Sequence, residues 1–477
     1  MRQMKAKVGM ISLGCARNLV DAEVMLGFLK RAGFAISETI ENADVALVNT
    51  CCFIREAQEE SVDIILKLCQ LKEEGRVGKV VVCGCLAQRY KNELASELKE
   101  VDAFVGVGGI DTIVDAVKLV LEGEIASAAS SSSAARRSSR HFLGHCVLGH
   151  NDEKRPEFLY THRSPRVFLT PKHFAYIKIS DGCNHRCSYC IIPGLRGKYR
   201  SRPMGSILKE ADSLLNKHGV SEINLIGQDT TMYGRDLYAQ AKIAELLRKL
   251  AGKAKGRWVR LLYAHPAHFS RELIAVIKDN PAACKYVDLP IQHINDKILK
   301  RMKRGTSRRQ ILSLIGVLRK KIPELAIRTT LIVGFPGETD AQFGQLLDFI
   351  RDAKFERLGL FKYSREAGTP AYDFTGQIPE KVKQARYDKA LSRQQALSAE
   401  FNEGFLGKEL RILIDEEIEK KQNLSQRSRV FLGRTQYDAP EVDGCVYVKS
   451  KKNLKNGDFV QAKITDTLEY DLVGEAL

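Results

Sequence analysis

Residues 182–190 read Gly-Cys-Asn-His-Arg-Cys-Ser-Tyr-Cys, which sets Cys183, Cys187 and Cys190 in a C-x3-C-x2-C pattern. Three thiolates this close in sequence can hold three irons of a 4Fe–4S cube and leave the fourth without a protein ligand. An open position on a redox metal suits a chelating cofactor. The amine and carboxylate of S-adenosylmethionine (SAM) can take it, and an electron from the cluster then splits the sulfonium to give a 5′-deoxyadenosyl radical. Zinc held by Cys183, His185, Cys187 and Cys190 is the competing reading, with suitable donors. Structural zinc sites, however, use two ligand pairs separated by a longer loop, and no second pair follows before Cys284. The spacing therefore favours the cluster. Tyr189, just before the last cysteine, can pack on the adenine of SAM.

These cysteines must be presented by a scaffold. From about residue 168 to 397 six apolar runs recur with helical stretches between them: FAYIKIS, EINLIGQ, WVRLLYA, KYVDLPI, AIRTTLIVG and RLGLFKY. Such strand–helix alternation implies a partial or full (β/α) barrel with its chemistry at the C-terminal strand ends. Those ends carry further candidates for the SAM pocket: Gln228 with Asp229 and Thr230, Tyr263 with His265, Gln292 with His293, Arg328 with Thr329, and the turn from Gly334 to Gly337. Tyr189, Gln228, Arg328, Gly334 and Gly337 are the expected cofactor contacts; amides and hydroxyls would bind the polar groups of SAM, and glycines would let backbone approach the adenine. His185 and His293 are candidates for proton transfer, with a satisfied structural histidine the default reading of both.

The first ~120 residues show the same alternation on a smaller scale, with strands at KVGMISLG, ADVALVNTC, KVVVCGC and AFVGVGG, hence a parallel sheet covered by helices. The stretch 127–140, SAASSSSAARRSSR, lacks core residues and reads as a flexible linker. Residues 401–477 break into short strands separated by turns, a small β-barrel. The expected domains are 1–122 (α/β), 123–166 (linker), 167–400 (the (β/α) barrel) and 401–477 (β-barrel).

The bulk numbers agree with a soluble globular chain. It has 477 residues, 44% of them hydrophobic and 28% charged. No apolar run approaches the ~18 residues of a membrane span, and the first residues lack a secretory pattern, so a cytoplasmic location is expected. In a reducing cytosol, the 12 cysteines favour metal binding or catalysis over disulfides. The net charge of +17 favours a polyanionic partner such as nucleic acid or a ribonucleoprotein. Residues 405–477 depart from this trend, with 12 basic and 13 acidic residues.

CNHRCSYC followed by IIPGLRGKYRSRP resembles the radical SAM methylthiotransferases, and the likeness extends over nearly the whole chain apart from about 122–166. The resemblance implies a second 4Fe–4S cluster in the N-terminal domain, held by Cys15 in SLGCARN, Cys51 in VNTCCFIREAQ and Cys85 in GCLAQRY. All three cysteines follow expected strands, whose C-termini converge on one edge of a parallel sheet. Small buried hydrophobes are the alternative for any one of them. Cys52, Cys83, Cys69, Cys146, Cys284 and Cys445 are read as structural or incidental.

Within the family, SLGCARNLVDAE, LTPKHFAYIKISDGCNHRCSYCIIP, LPIQH and GRTQYDAPEVDGCVYV are similar to the RimO type, and the last resembles its TRAM domain. Arg17 where lysine is usual, Asp181 where glutamate is frequent and the Ser-rich linker depart from the pattern; none removes a cluster ligand. The resemblance implies a methylthio group added to the β-carbon of an aspartate in small-subunit ribosomal protein S-twelve. One SAM would methylate sulfur at the auxiliary cluster, and another would be cleaved to abstract the hydrogen. No catalytic residue is expected beyond the cluster ligands; a reducing electron donor and a sulfur source are expected partners. A transfer RNA adenosine methylthiotransferase is the nearest alternative, and a zinc-bearing RNA-binding protein a distant one. The near-neutral C-terminal segment favours the protein substrate, because a barrel built to grip RNA should be basic.

Overall fold

A computed structural model describes residues 5–122, 146–148, 158–418 and 429–477, so the expected flexible stretch over 127–140 lies outside the described residues. The chain forms two compact units. One comprises residues up to Leu169 together with Asp181–Asn184 and Ile191–Arg202; the other comprises Thr170–Ser180, His185–Cys190 and Pro203–Leu477.

The first unit runs β1 (Lys7–Ser12), α1 (Ala16–Arg31), β2 (Ala35–Ile36), β3 (Val45–Thr50), α2 (Arg55–Glu73), β4 (Lys79–Gly84), α3 (Cys85–Arg89), α4 (Lys91–Glu97), β5 (Ala103–Val105), α5 (Ile113–Glu122) and β6 (Cys146–Leu148). Its six strands are all parallel, in the order β2-β1-β3-β4-β5-β6. VALVNT of β3 is buried at every position, the pattern of a strand covered on both faces. The end of the expected linker differs from expectation. Arg166 Nε donates to Glu23 Oε2 at 2.8 Å and the Leu169 amide to Glu23 Oε1 at 2.8 Å. Glu23 is fully buried on α1, so it needs that partner, and residues 158–169 are packed as part of this unit.

After β7 (Phe174–Lys178) come the short β8 (Ser180–Asp181), α6 (Ile192–Arg196) and β9 (Arg200–Ser201). The second unit continues with α7 (Met204–Asn216), β10 (Glu222–Ile226), α8 (Arg235–Tyr238), α9 (Ile243–Lys253), β11 (Trp258–Leu261), α10 (Arg271–Asp279), β12 (Tyr286–Asp288), α11 (Asp296–Arg301), α12 (Arg308–Lys321), β13 (Ala326–Val333), α13 (Asp340–Ala353), β14 (Arg357–Lys362) and α14 (Glu380–Glu403). The six expected strands are β7, β10, β11, β12, β13 and β14. They pair in parallel as β7-β10-β11 and β12-β13-β14, a (β/α) array with all strand C-termini at one end. Side chains cap the helices that re-enter it: Ser307 and Thr339 each form a reciprocal box with a glutamine three residues on.

The C-terminal strands β15 (Glu409–Ile418), β16 (Arg429–Arg434), β17 (Val446–Ser450), β18 (Phe459–Thr467) and β19 (Leu472–Ala476) close into a barrel in the order β15-β16-β17-β19-β18. Closure removes exposed edges. Buried ion pairs join this barrel to the (β/α) array. Glu222, fully buried, receives Arg260 at 2.7 Å and Arg434 at 2.7 Å. Arg434 also bonds Asp415, which takes His173 at 2.7 Å, and Arg357 bonds Asp438 at 2.6 Å. Breaking one partner of such a pair costs about 3–5 kcal/mol, because the other charge stays buried.

Candidate functional site

In the first unit, three neighbouring strands end beside one another and each delivers a cysteine. β1 pairs with β3 and β3 with β4, in register through Ser12↔Asn49 and Thr50↔Gly84. Cys15 occupies the N-cap position of α1, Cys51 follows β3 directly, and Cys85 opens α3 after Gly84. Two glycines permit this approach. Gly14 has φ 85°, and an added Cβ would stand 2.9 Å from Cys51 Sγ. Gly84 has φ 94°, and an added Cβ would collide with Asn49 Oδ1.

Two asparagines fasten the strand ends. Asn18 Nδ2 donates to Leu13 O at 2.7 Å and Thr50 O at 3.2 Å, while Asn49 Nδ2 donates to Asn18 O at 2.7 Å. Ser61 Oγ accepts from the Cys51 amide at 3.1 Å. Sequence reading passed over Asn18 and Asn49, although both stand inside the cysteine motifs.

The three thiols act electrostatically on one another. Burial pushes Cys51 up to about 11, and the charges of Cys15 and Cys85 add to the rise. Burial also raises Cys15, but Arg17 and Arg196 outweigh it and bring that thiol down to about 7. Arg196 is buried in α6, where Nη1 bonds Asp21 at 2.9 Å and Asp181 at 3.2 Å and Nη2 donates to Cys85 Sγ at 3.7 Å. Three unpaired thiols at adjacent strand ends, backed by guanidinium charge, fit a 4Fe–4S group, which needs thiolates and carries negative charge.

The remaining cysteines sit elsewhere. Cys52 and Cys83 are buried in the sheet core, and burial pushes the Cys83 thiol up to about 12. Cys69 and Cys284 are buried as well, and Cys445 is half-buried. The side chain of Cys146 lies outside the described residues.

The motif loop after β7 divides between the units, with Cys183 in the first and Cys187 and Cys190 in the second. Cys187 is buried, and its carbonyl accepts from the Cys190 amide at 3.1 Å. The Ser188 amide donates to Met302 O at 3.0 Å and Ser188 Oγ to Arg301 O at 2.9 Å, anchoring this loop to the end of α11. Tyr189 packs against the cluster of Ile298, Met302, Ile332, Phe335, Tyr363 and Ala371, and burial raises its phenol well above the usual value. Arg304 Nη1 donates to Cys187 Sγ at 3.8 Å.

At the end of β10, Gln228 is half-buried and Asp229 is buried. Asp229 Oδ2 bonds His185 Nε2 at 2.7 Å and His268 Nδ1 at 3.0 Å, and Oδ1 accepts from the Thr231 amide at 2.9 Å. Burial opposes its charge, but these bonds hold the carboxyl well below the usual range. The His265 ring stacks on His185 with centroids 4.3 Å apart, and burial with the Arg304 charge lowers His265 to about 2, keeping it neutral. His185 is thus part of a carboxylate-oriented histidine set. His293 is fully buried; its Nδ1 accepts from the Asn295 amide at 3.0 Å, and its Nε2 is buried without a hydrogen-bond partner among the described residues.

Gly334 and Gly337 follow β13 with φ 73° and 79°. The Phe335 amide donates to Glu338 at 3.1 Å and the Gly337 amide to Gly376 O at 2.7 Å, so the turn is fixed from within. Arg328 is the third residue of β13, and its guanidinium bonds Asp288 and Asp443 at 3.3 Å each. Its charge is thus shared between Asp288 of β12 and Asp443 of the C-terminal barrel, toward the N-terminal part of the strand. Among the described residues, no helix is long and apolar enough to cross a membrane.

Both cysteine triads fall in segments that match known family models. Residues 7–106 match the model of uncharacterized protein family UPF0004, 177–350 the Radical SAM superfamily and 406–477 the TRAM domain. In solved structures, the radical SAM methyltransferase TsrM from Kitasatospora setae superposes with TM-score 0.54 at 16% identity, covering 75% of this chain and 73% of that one; it shares the fold. The ribosomal protein uS12 methylthiotransferase RimO of Desulforamulus reducens is 44% identical, covering 98% of this chain and 99% of that relative. The protein of that name from Geobacter sulfurreducens is 44% identical over the full length of both chains. The chain belongs to the RimO family of radical SAM methylthiotransferases.

Proposed function

We propose that this chain adds a methylthio group to the β-carbon of an aspartate in ribosomal protein uS12, with Cys15, Cys51 and Cys85 holding an auxiliary 4Fe–4S cluster and Cys183, Cys187 and Cys190 holding the cluster that cleaves SAM. The observation that carries this reading is 44% identity over full length to a uS12 methylthiotransferase, with both cysteine triads intact. The clusters and SAM, when bound, supply a radical able to take hydrogen from an unactivated C–H bond and the methylthio group that replaces it.

The chain's own residues do the rest. Gly14 and Gly84 let the auxiliary cysteines approach, and the Asn18–Asn49 clamp fixes their strand ends. Arg17 and Arg196 favour the Cys15 thiolate. Tyr189, Gln228 and the Gly334–Gly337 turn stand at the strand ends where SAM binds. A reductant and a sulfur donor complete the system, and the TRAM barrel meets nucleic acid through the ribosome.

The test is incubation of the reconstituted protein with SAM, dithionite, sulfide and small ribosomal subunits, with free uS12 in parallel. Mass spectrometry should find one hydrogen of a uS12 aspartate replaced by a methylthio group. Methylthiolated adenosine in transfer RNA, with unmodified uS12, would instead support the transfer RNA reading.

A further inference from the structure

Arg304 is 7% exposed, and a buried guanidinium is costly unless an anion compensates it. Among the described residues no carboxylate lies within 4.0 Å of it, in contrast to Arg196, Arg260, Arg328, Arg357 and Arg434, which all have one. Asp229 acts on it only from farther away. Its bonds go to the Pro290 carbonyl through Nη2 and to Cys187 Sγ through Nη1 at 3.8 Å, and Nε is buried without a partner. The backbone fixes it there: the Arg304 amide donates to Leu299 O at 3.0 Å, between Lys303 and Gly305 at φ 53° and 67°. Among the described residues, Cys187 is therefore the one group bonded to this guanidinium that can carry negative charge.

We propose that Arg304 is a positioning residue for the SAM-cleaving cluster, a fixed positive charge that donates to the Cys187 thiolate and raises the cluster's reduction potential. Reduction adds negative charge to the cluster, so a nearby cation favours the reduced form, and hydrogen bonds to cluster sulfur act in the same direction. This inference rests on the assignment of Cys187 as a cluster ligand.

The test uses the full-length chain with Cys15, Cys51 and Cys85 all changed to Ala, so that one cluster remains. Iron content is measured, and the midpoint potential is read by EPR-monitored titration without SAM. Arg304→Gln should keep about four irons and shift the reduction equilibrium at least tenfold toward the oxidised cluster, about 59 mV for one electron. Arg304→Met gives the same reading with an apolar side chain if the Gln variant fails to fold. Arg304→Lys, which keeps the charge, should stay within about threefold of its parent. Iron-loaded Gln or Met variants with an unchanged potential would overturn the proposal, as would a Lys variant shifted as far as they are. A parent that binds no iron would overturn the cluster assignment itself.

Discussion

Two single substitutions separate the two cluster roles. Cys187→Ala should abolish SAM cleavage altogether, measured as 5′-deoxyadenosine release. Cys51→Ala should retain uncoupled SAM cleavage and lose methylthiolation; methylthiolated product from that variant would refute the two-cluster assignment. Arg196→Met should destabilise the first unit by about 3–5 kcal/mol, read as a lower denaturant midpoint, because Asp21 and Asp181 stay buried without their cation. Cys183, Cys187 and Cys190 stand out as candidates in the sequence because iron–sulfur chemistry sets residue type and local spacing, whereas Cys15, Cys51 and Cys85 are far apart and are suggested only by the family resemblance. Arg196, Arg304 and the Asp229–histidine set were not legible: each acts on a partner distant in sequence, from Arg196 on Cys85 to His268 on Asp229. The ion pairs of Arg328 were not legible for the same reason. Its strand was right, but nothing local shows that Asp443, far along the chain, claims its charge.

Elements place those side chains, and their boundaries carry strain that can be tested. Gly84→Ala would force a side chain into φ 94° and against Asn49 Oδ1 and Thr50 O. A cost of about 3 kcal/mol or more is expected, with loss of iron from the auxiliary site. At the turn after β13, burial raises Glu338 to about 7 despite Arg386 and the Gly334 and Phe335 amides. A folded-state value above the unfolded one means stability is fullest below the unfolded value near 4.5 and is lost as pH rises through 7. Glu338→Gln should remove that dependence, so wild type should lose on the order of 3 kcal/mol relative to the variant between pH 5 and pH 8. Long apolar runs made the six strands of the (β/α) array readable. β2, β6 and β19 escaped notice: the first two span two and three residues and owe their existence to sheet pairing, and β19 follows β18 after a brief turn.

At the scale of the whole chain, the charge count of the C-terminal segment needs a physical correction. Asp415 is drawn onto Arg434 of the barrel itself, whereas Asp438 and Asp443 are drawn onto Arg357 and Arg328 of the (β/α) array. The barrel's outer face is thus less acidic than its composition suggests, and near-neutrality does not argue against RNA; the protein substrate rests on the family instead. The alternation of strands and helices revealed the three architectures, but not that residues 191–202 return to the first unit after the cysteine loop. That return brings Arg196 to Cys85. The central claim is that two separate cysteine triads build two clusters, and anaerobic measurement of iron, sulfide and zinc per chain tests it most directly. The account predicts about eight irons with matching sulfide in the wild-type chain, and about four when either triad is changed to alanine. Zinc without iron, or an iron content that falls to nothing when only one triad is removed, would contradict it.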